Sequence, residues 1–220
     1  MTSQEQNDLA DGAALVGAPV DAATLERLGR FLDLLDVWNR RIHLTGDRDR
    51  GVVIRKHIVD ALAVVPELPG SGLVADLGSG AGFPGLVLGC ARPDLALRLI
   101  EPRRRPASFL AEAIRNIPLP GARIVVVRGE AAAHEPGLGA ASAVVVSRAL
   151  RLDVLMSLAP PLLAPEGEVV AMQTPAISEE RARATAAPTG LALARVRDYR
   201  LPGGESRRLL VFRRTEARSR

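Results

Sequence analysis

Residues 74–85 read Val-Ala-Asp-Leu-Gly-Ser-Gly-Ala-Gly-Phe-Pro-Gly, an apolar run that ends in an acid and continues directly into alternating glycines. This pattern is typical of a β-strand that leads into a nucleotide-binding turn. Gly78, Gly80 and Gly82 carry no Cβ, so the backbone there can adopt positive φ and approach a ligand closely. Ligands of open α/β sheets bind at the carboxyl ends of strands. The stretch therefore predicts a ligand site at the end of this strand.

After this turn, apolar segments of strand length and helix length alternate along the chain. Such alternation predicts an α/β fold, in which a mostly parallel sheet carries helices on both faces. The last two segments, 192–200 and 207–214, are joined by a Gly-rich turn and are predicted to form a hairpin that adds an antiparallel strand. The other predicted strands are 73–77, 96–101, 123–127, 142–147 and 167–173, and the predicted helices are 83–91, 105–116, 130–133, 151–163 and 177–187.

The segment before the sheet has a different pattern. Residues 1–20 are rich in Ala, Gly and Asp without periodicity, and we expect them to form a loose tail. Two amphipathic patterns with helical spacing follow, the first beginning at Asp21, a suitable N-cap. We therefore expect residues 21–66 to be an N-terminal helical extension. Residues 67–220 are expected to be a Rossmann-like domain that forms one structural unit with this extension.

Two classes of cofactor fit the glycine turn. Gly80-x-Gly82-x-x-Gly85 satisfies the fingerprint of dinucleotide-binding proteins, which alone is a weak indication. Asp76 places a carboxylate at the strand end, where it would repel a pyrophosphate but attract the ammonium of an amino-acid-like ligand. That carboxylate favours S-adenosylmethionine. Glu101 ends the next strand and is placed to accept both ribose hydroxyls, which both classes of cofactor require.

Composition narrows the functional class further. The 220 residues carry a net charge of +4 with a sequence pI near 10.4, and residues 195–220 hold nine Arg against three acids. This distribution favours nucleic-acid binding over a merely solvated basic face. The single cysteine, Cys90, excludes an internal disulfide and is expected to be a buried packing residue. No apolar stretch is long enough to cross a bilayer and no signal-peptide pattern is present, so we expect a cytoplasmic location.

Five short motifs occur in order along the chain: Trp38-Asn39-x-x-x-His43-Leu44-Thr45, Lys56-His57-x-x-Asp60, Asp76-x-Gly78-x-Gly80-x-Gly82-Phe83-Pro84-Gly85, Arg128-Gly129-Glu130 and Ser147-Arg148-Ala149. On these motifs the chain resembles the RsmG (GidB) family, class I methyltransferases that modify guanine N7 in 16S ribosomal RNA. It departs from the usual family pattern at His43, Lys56, Ala61 and Glu101, where Asn, Arg, Ser and Asp are usual.

The resemblance implies a class I S-adenosylmethionine-dependent methyltransferase fold and assigns roles to particular residues. The expected cofactor-binding residues are Asp76, Gly78, Gly80, Phe83, Glu101, Gly129, Glu130 and Arg148. The expected RNA-binding residues are Asn39, His43, Arg103, Arg104, Arg105 and Arg148. The implied partner is 16S ribosomal RNA, within the 30S subunit, and the protein is expected to act as a monomer.

No catalytic acid or base is expected. Guanine N7 is a ring lone pair that loses no proton, so holding it in line with the methyl donor is the main requirement. The Asn/Asp-Pro-Pro-aromatic motif of amino-group methyltransferases is absent, because Ser147-Arg148-Ala149-Leu150 stands at that place. A metal site is not expected either, since His43 and His57 lack carboxylates at ligand spacing.

Two other functions remain open at this point. A nicotinamide-dependent oxidoreductase would use the same glycines, but a Tyr-x-x-x-Lys pair is missing, because the only Tyr is Tyr199 and the only Lys is Lys56. A non-catalytic RNA-binding protein would share the basic surface. Binding of S-adenosylmethionine would distinguish a methyltransferase from the oxidoreductase. Transfer of a methyl group to RNA would distinguish it from the non-catalytic RNA-binding protein.

Overall fold

The computed structural model describes residues 1–215, which form a seven-stranded sheet with helices on both faces. The strands are β1 (Leu73–Leu77), β2 (Ala96–Ile100), β3 (Ala122–Val125), β4 (Ser142–Ser147), β5 (Leu163–Gln173), β6 (Leu191–Arg200) and β7 (Ser206–Arg214). Their order across the sheet is β3-β2-β1-β4-β5-β7-β6. The β1–β2, β2–β3, β1–β4 and β4–β5 pairs are parallel, and β7 is antiparallel to β5 and β6. The predicted α/β fold with an antiparallel strand near the end is confirmed.

The helices connect these strands and precede them. They are α1 (Ser3–Leu15), α2 (Ala22–Ile42), α3 (Arg50–Val53), α4 (Val59–Leu62), α5 (Gly85–Ala91), α6 (Arg104–Asn116), α7 (Gly129–Ala132), α8 (Leu152–Leu158) and α9 (Glu179–Ala186). A π-helical turn, Ile54–Ile58, joins α3 to α4, so the predicted second helix of the extension is continuous but irregular. Two consecutive prolines, Pro160 and Pro161, follow α8, and the predicted helix 151–163 ends there as a short 3₁₀ turn.

The sheet is buried on both faces, which explains its nearly continuous apolar strands. One apolar layer packs helices α2, α4, α5 and α6 against the sheet, and the other packs α8 and α9 against the opposite face. The first layer joins Phe31 and Leu62 of the N-terminal segment to Val74 and Val146 of the sheet. Helical extension and sheet thus share a core, while the domain boundary at residue 66 stays a prediction.

The expectation of a loose tail over residues 1–20 is wrong. Helix α1 occupies most of this stretch and begins with a capping box between Thr2 and Glu5. Its buried residues are Leu9, Gly12 and Ala13, so only one large apolar side chain marks this face in the sequence. At Gly12 a Cβ would lie only 2.6 Å from Val59 Cγ2, so the small residue permits this close packing.

The strand order reverses between the neighbouring strands β1 and β4. From β1 the chain continues to β2 on one side of this point, and from β4 it continues to β5 on the other side. Such a reversal opens a crevice at the carboxyl ends of the strands, where α/β proteins bind ligands. Among residues 1–215, no helix combines the length and the apolar content that crossing a bilayer requires.

Candidate active site

The glycine turn after β1 is held tightly against β2. The backbone N–H groups of Gly78 and Ser79 both donate to the Ile100 carbonyl oxygen, at 2.9 and 3.2 Å. Gly78, Gly80 and Gly82 have φ of +79°, +51° and +87°, in the left-handed region that disfavours side chains. The turn is therefore built as the sequence predicts, with its backbone exposed to the crevice.

A cavity of about 340 Å³ opens beside this turn and is called here the central cavity. Gly78, Glu101, Gly129 and Glu130 line it together with the apolar side chain of Leu150. These residues follow β1, β2, β3 and β4, so four neighbouring strand ends contribute to one concave site. The structure thus brings four of the predicted cofactor-binding residues together.

Glu101 is a buried carboxylate with several donors around it. Its Oε2 accepts from Gly80 N at 2.9 Å, and its Oε1 accepts from Arg103 N and Nε at 3.0 and 2.8 Å. Burial would raise the pKa of Glu101, but these hydrogen bonds and the Arg103 charge outweigh burial and lower it. The carboxylate is therefore ionised and can accept hydrogen bonds from the hydroxyl groups of a ligand.

Asp76 does not line the central cavity. It is completely buried, and its Oδ2 accepts from Gly85 N at 3.0 Å, at the start of α5. Its Oδ1 is buried without a hydrogen-bond partner among the described residues. Burial raises the pKa of Asp76 to about 7, because the charged form is poorly solvated there. The ammonium contact assigned to Asp76 stays a prediction, and the unpaired oxygen is the group available for it.

Gly129 and Glu130 begin α7 at the far end of the central cavity. A Cβ on Gly129 would lie 2.6 Å from Leu158 Cδ1, so a larger residue at this position would have to displace that side chain of α8. Glu130 is exposed at the cavity mouth. This arrangement leaves backbone and a carboxylate on the cavity wall, and the expectation that Gly129 and Glu130 bind the cofactor stays a prediction.

A second cavity, of about 330 Å³, adjoins the first through Arg103 and is called the arginine cavity. It is lined by residues of the α2 C-terminus, the glycine turn and the α6 N-terminus: Ile42, His43, Leu44, Gly80, Arg103, Arg104, Arg105 and Pro106. His43 ends α2 with a left-handed φ of +49°. Four of the predicted RNA-binding residues therefore meet beside the predicted cofactor site.

Asn39, by contrast, is only 5% exposed. Its side-chain oxygen accepts from Thr45 N at 2.9 Å, and its side-chain nitrogen donates to the Asp47 carbonyl oxygen at 3.1 Å. These bonds shape the loop that follows His43. Little of Asn39 is therefore exposed and its side chain is engaged in the loop, so direct contact of Asn39 with RNA stays a prediction.

Phe83 likewise lies beneath the site rather than in the central cavity. Its ring is stacked on His57, with centroids 5.3 Å apart, and the Arg148 guanidinium lies 5.8 Å from its centroid. Burial, and then the charge of Arg148, lower the pKa of His57, although Asp47 accepts a hydrogen bond from its Nε2 at 2.7 Å. His57 is thus a neutral aromatic support for the turn.

Arg148 pairs with a residue to which the sequence analysis gave no role. Its Nε lies 3.0 Å from Oδ2 of Asp60, a carboxylate that also accepts from the Tyr199 hydroxyl at 2.6 Å. A largely buried guanidinium requires such a partner, since an unpaired charge there would be costly. The partner is invisible in sequence because Asp60 and Arg148 are far apart in the chain. Contact of Arg148 with cofactor or RNA stays a prediction.

The residues present fit S-adenosylmethionine. The buried carboxylate of Glu101 can accept hydrogen bonds from the ribose hydroxyls. The glycines of the turn leave room for the protein backbone to approach the adenosine part of the cofactor closely. The unpaired Oδ1 of Asp76 suits its ammonium group. Within residues 1–215, no three His, Cys, Asp or Glu side chains come together as a metal site would require.

Comparison with known proteins agrees with this geometry. Residues 24–209 match the family described as rRNA small subunit methyltransferase G. The chain is 34% identical over 208 residues to ribosomal RNA small subunit methyltransferase G of Myxococcus xanthus, covering 94% of this chain and 96% of the relative. It is 38% identical over 204 residues to the protein of the same name from an Anaeromyxobacter species, covering 92% and 94%.

Solved structures show the same fold. TYW2 of M. jannaschii in complex with AdoMet superposes with a TM-score of 0.56 at 16% identity, covering 72% of this chain and 76% of that one. A mutant of the 16S rRNA (adenine(1408)-N(1))-methyltransferase of Catenulisporales acidiphilia superposes with a TM-score of 0.55 at 15% identity, covering 67% and 87%. The fold and the family match together leave the nicotinamide alternative without support. The chain belongs to the rRNA small subunit methyltransferase G family.

Proposed function

We propose that this protein transfers the methyl group of S-adenosylmethionine to N7 of a guanine in 16S ribosomal RNA. The observation that carries the proposal is the junction of the two cavities, where Arg103 lines both the acidic cofactor cradle and a basic surface suited to RNA phosphates. We also propose that the RNA is presented in the 30S subunit, and that the protein acts as a monomer in the cytoplasm.

The cofactor contacts are assigned on the geometry of the cradle. Glu101 would hold the ribose hydroxyls, Gly129 and Glu130 the adenine, and Gly78 and Gly80 the adjacent backbone contacts. When bound, S-adenosylmethionine supplies an electrophilic methyl group, to which the N7 lone pair bonds as the S–C bond breaks and its electron pair returns to sulfur.

The chain's own contribution is binding and orientation. No proton leaves guanine when N7 is methylated, so no side chain is needed as a base, and the positive charge stays on the methylated ring. Aligning the two reactants is worth about 7–11 kcal/mol in favourable systems. The rigid strand ends that line the central cavity are suited to this task, because they fix the cofactor relative to the basic surface.

The direct test is methylation of 30S subunits from cells that lack the protein. Purified protein and labelled S-adenosylmethionine are expected to label 16S RNA, and mass mapping is expected to place the label on N7 of a guanine. Tight RNA binding without any methyl transfer would instead indicate a non-catalytic RNA-binding protein.

Replacing Arg103, Arg104 and Arg105 together by Ala is expected to weaken RNA binding and flatten its salt dependence. Each lost phosphate contact reduces the slope of log K against log salt by about 0.7–0.9, so the slope should fall by about 2 if all three contact phosphate. Binding of 16S RNA fragments across a salt series measures the slope. The matched control is Arg30→Ala with Arg40→Ala, on exposed positions of α2 outside the arginine cavity. An unchanged slope in the triple variant would mean that this run is ordinary surface.

Cofactor affinity is expected to rise by about tenfold between pH 6 and pH 8 through Asp76 alone. Burial holds the pKa of Asp76 at about 7 in the free protein, and pairing with an ammonium requires the ionised form, so binding is opposed below that pH. Isothermal calorimetry at several pH values measures the slope. The α-amino group of the cofactor titrates nearby, so the decisive quantity is the difference between the wild-type slope and that of Asp76→Asn. Identical slopes would remove Asp76 from the ammonium site.

A further inference from the structure

Arg103 is shared by the two binding surfaces of the site, because it lines both the central cavity and the arginine cavity. Its guanidinium lies over the glycine turn, where a Cβ on Gly80 would be 3.6 Å from Arg103 Nη2. The Arg103 side chain is 69% exposed, whereas the side chain of its ion-pair partner, Glu101, is 2% exposed. The guanidinium is therefore able to move, while the carboxylate is held in place.

All acceptor positions of the Glu101 carboxylate are filled in the free protein. A carboxylate offers about four lone-pair positions, two on each oxygen. Two are taken by backbone donors, Gly80 N at 2.9 Å from Oε2 and Arg103 N at 3.0 Å from Oε1. The other two are taken by the Arg103 guanidinium, with Nε 2.8 Å from Oε1 and Nη2 3.3 Å from Oε2.

A ligand that places two hydroxyls on Glu101 must therefore displace the guanidinium. The two backbone donors cannot leave, because one belongs to the glycine turn and the other to the residue that precedes α6. The two lone pairs that the guanidinium now occupies are the ones a ribose would need. Ribose and guanidinium thus compete for one carboxylate.

The displaced guanidinium has a basic cavity beside it. Three arginines line the arginine cavity, and in the part of the chain that the structure describes none of its lining residues is an acid. Arg104 and Arg105 are both exposed there. Like charges gathered in this way repel one another unless an anion lies between them, and guanidinium groups bind phosphate oxygens with two parallel hydrogen bonds. A phosphate in the arginine cavity would therefore hold Arg103 away from Glu101.

Resting on the proposed methylation of 16S RNA, we propose that Arg103 couples the binding of the cofactor to the binding of RNA. The ribose hydroxyls replace the guanidinium on Glu101, and the released guanidinium binds a backbone phosphate of the RNA in the arginine cavity. The coupling is reciprocal, because RNA that holds Arg103 leaves Glu101 free for the ribose. The protein thus favours the complex that holds both reactants over RNA bound without the cofactor.

The strength of the contact between Arg103 and Glu101 limits the size of the effect. RNA improves cofactor affinity only by removing the competing guanidinium, so the coupling factor cannot exceed the gain in cofactor affinity that Arg103→Ala produces. We expect both to be about two- to fivefold, which is the range for an ion pair with one exposed partner.

The test measures the Kd for 30S subunits from cells that lack the protein, with and without saturating S-adenosylhomocysteine, which carries the same ribose but no methyl group to transfer. The wild-type protein is expected to bind the subunit about two- to fivefold more tightly with this ligand, and the slope of log K against log salt is expected to steepen by up to about 0.7–0.9, for one more phosphate contact. Arg103→Ala is expected to bind the subunit equally well with and without the ligand.

Arg105→Ala is the matched control, because Arg105 lines the arginine cavity but not the central cavity. It is expected to bind the subunit more weakly in both states and to keep the wild-type ratio of the two Kd values. A ratio of one in the wild-type protein, the wild-type ratio in Arg103→Ala, or an equal loss of the ratio in Arg105→Ala would each overturn the coupling. Weaker binding of S-adenosylhomocysteine by Arg103→Ala alone would overturn it as well.

Methyl transfer by the wild-type protein is assayed on the same subunits with S-adenosylmethionine. Transfer to guanine without any coupling would overturn the role of Arg103 and leave the proposed function intact. Absence of transfer would overturn the proposed function, and the coupling with it.

Discussion

Gly78→Asp is expected to abolish binding of S-adenosylmethionine, with a loss of affinity of about 100-fold or more, or about 2.7 kcal/mol. Gly78 has φ of +79°, which a residue with a Cβ adopts only under strain. The new carboxylate would also enter the central cavity on the side of Leu150, whose Cδ2 lies 3.7 Å from the position of a Cβ. Calorimetric titration with the cofactor measures the loss.

Two controls separate these causes. Gly78→Ala adds the strain without the carboxylate, and because the Cβ itself has room, we expect only about a tenfold loss. Gly137→Asp places the same side chain at φ of +74°, where no atom lies within 4 Å of the Cβ, outside the central cavity. It is expected to lower thermal stability slightly and to leave cofactor affinity unchanged. Wild-type affinity in Gly78→Asp would contradict the placement of the cofactor beside this turn.

The sheet could be predicted from the sequence because each strand is a short apolar run bounded by turn residues. Strand β1 is the clearest case: it runs from Leu73 to Leu77, as predicted, and ends where the glycines begin. The parallel arrangement follows from the helices between the strands, and Glu101 could be placed beside the glycine turn because parallel strands end at one edge. Local patterns of this kind carry enough information to position neighbouring strand ends.

Contacts between distant parts of the chain could not be predicted in this way. The pairing of Asp60 with Arg148 depends on how α4 crosses the end of β4, and neither segment encodes that distance. Asn39 stands in a motif whose spacing is compatible with RNA contact, yet its side chain is used to shape the loop up to Asp47. Helix α1 gives no strong periodic signal in the sequence, because two of its three buried residues, Gly12 and Ala13, are small.

Glu101→Ala is expected to weaken binding of S-adenosylmethionine by about 100-fold. The variant removes the acceptor for the ribose hydroxyls, and a hydrogen bond to a charged group is worth about 1.5–3 kcal/mol. It also leaves Gly80 N, now 2.9 Å from Glu101 Oε2, without its partner, so the turn loses one of the bonds that hold it to the end of β2, while the bonds from Gly78 N and Ser79 N to the Ile100 carbonyl oxygen remain. Calorimetry gives the affinity, and a thermal melt of the free protein shows whether the fold is retained.

Arg103→Ala is the matching control variant. In the free protein, Arg103 Nε donates a hydrogen bond to Glu101 Oε1 at 2.8 Å, and Arg103 Nη2 donates to Oε2 at 3.3 Å. If Glu101 holds the ribose, freeing it from this guanidinium should leave cofactor affinity unchanged or raise it by about two- to fivefold. RNA affinity should fall at the same time, since Arg103 also lines the arginine cavity. A loss of cofactor affinity in Arg103→Ala as large as that in Glu101→Ala would mean that the ion pair, rather than the carboxylate, holds the cofactor.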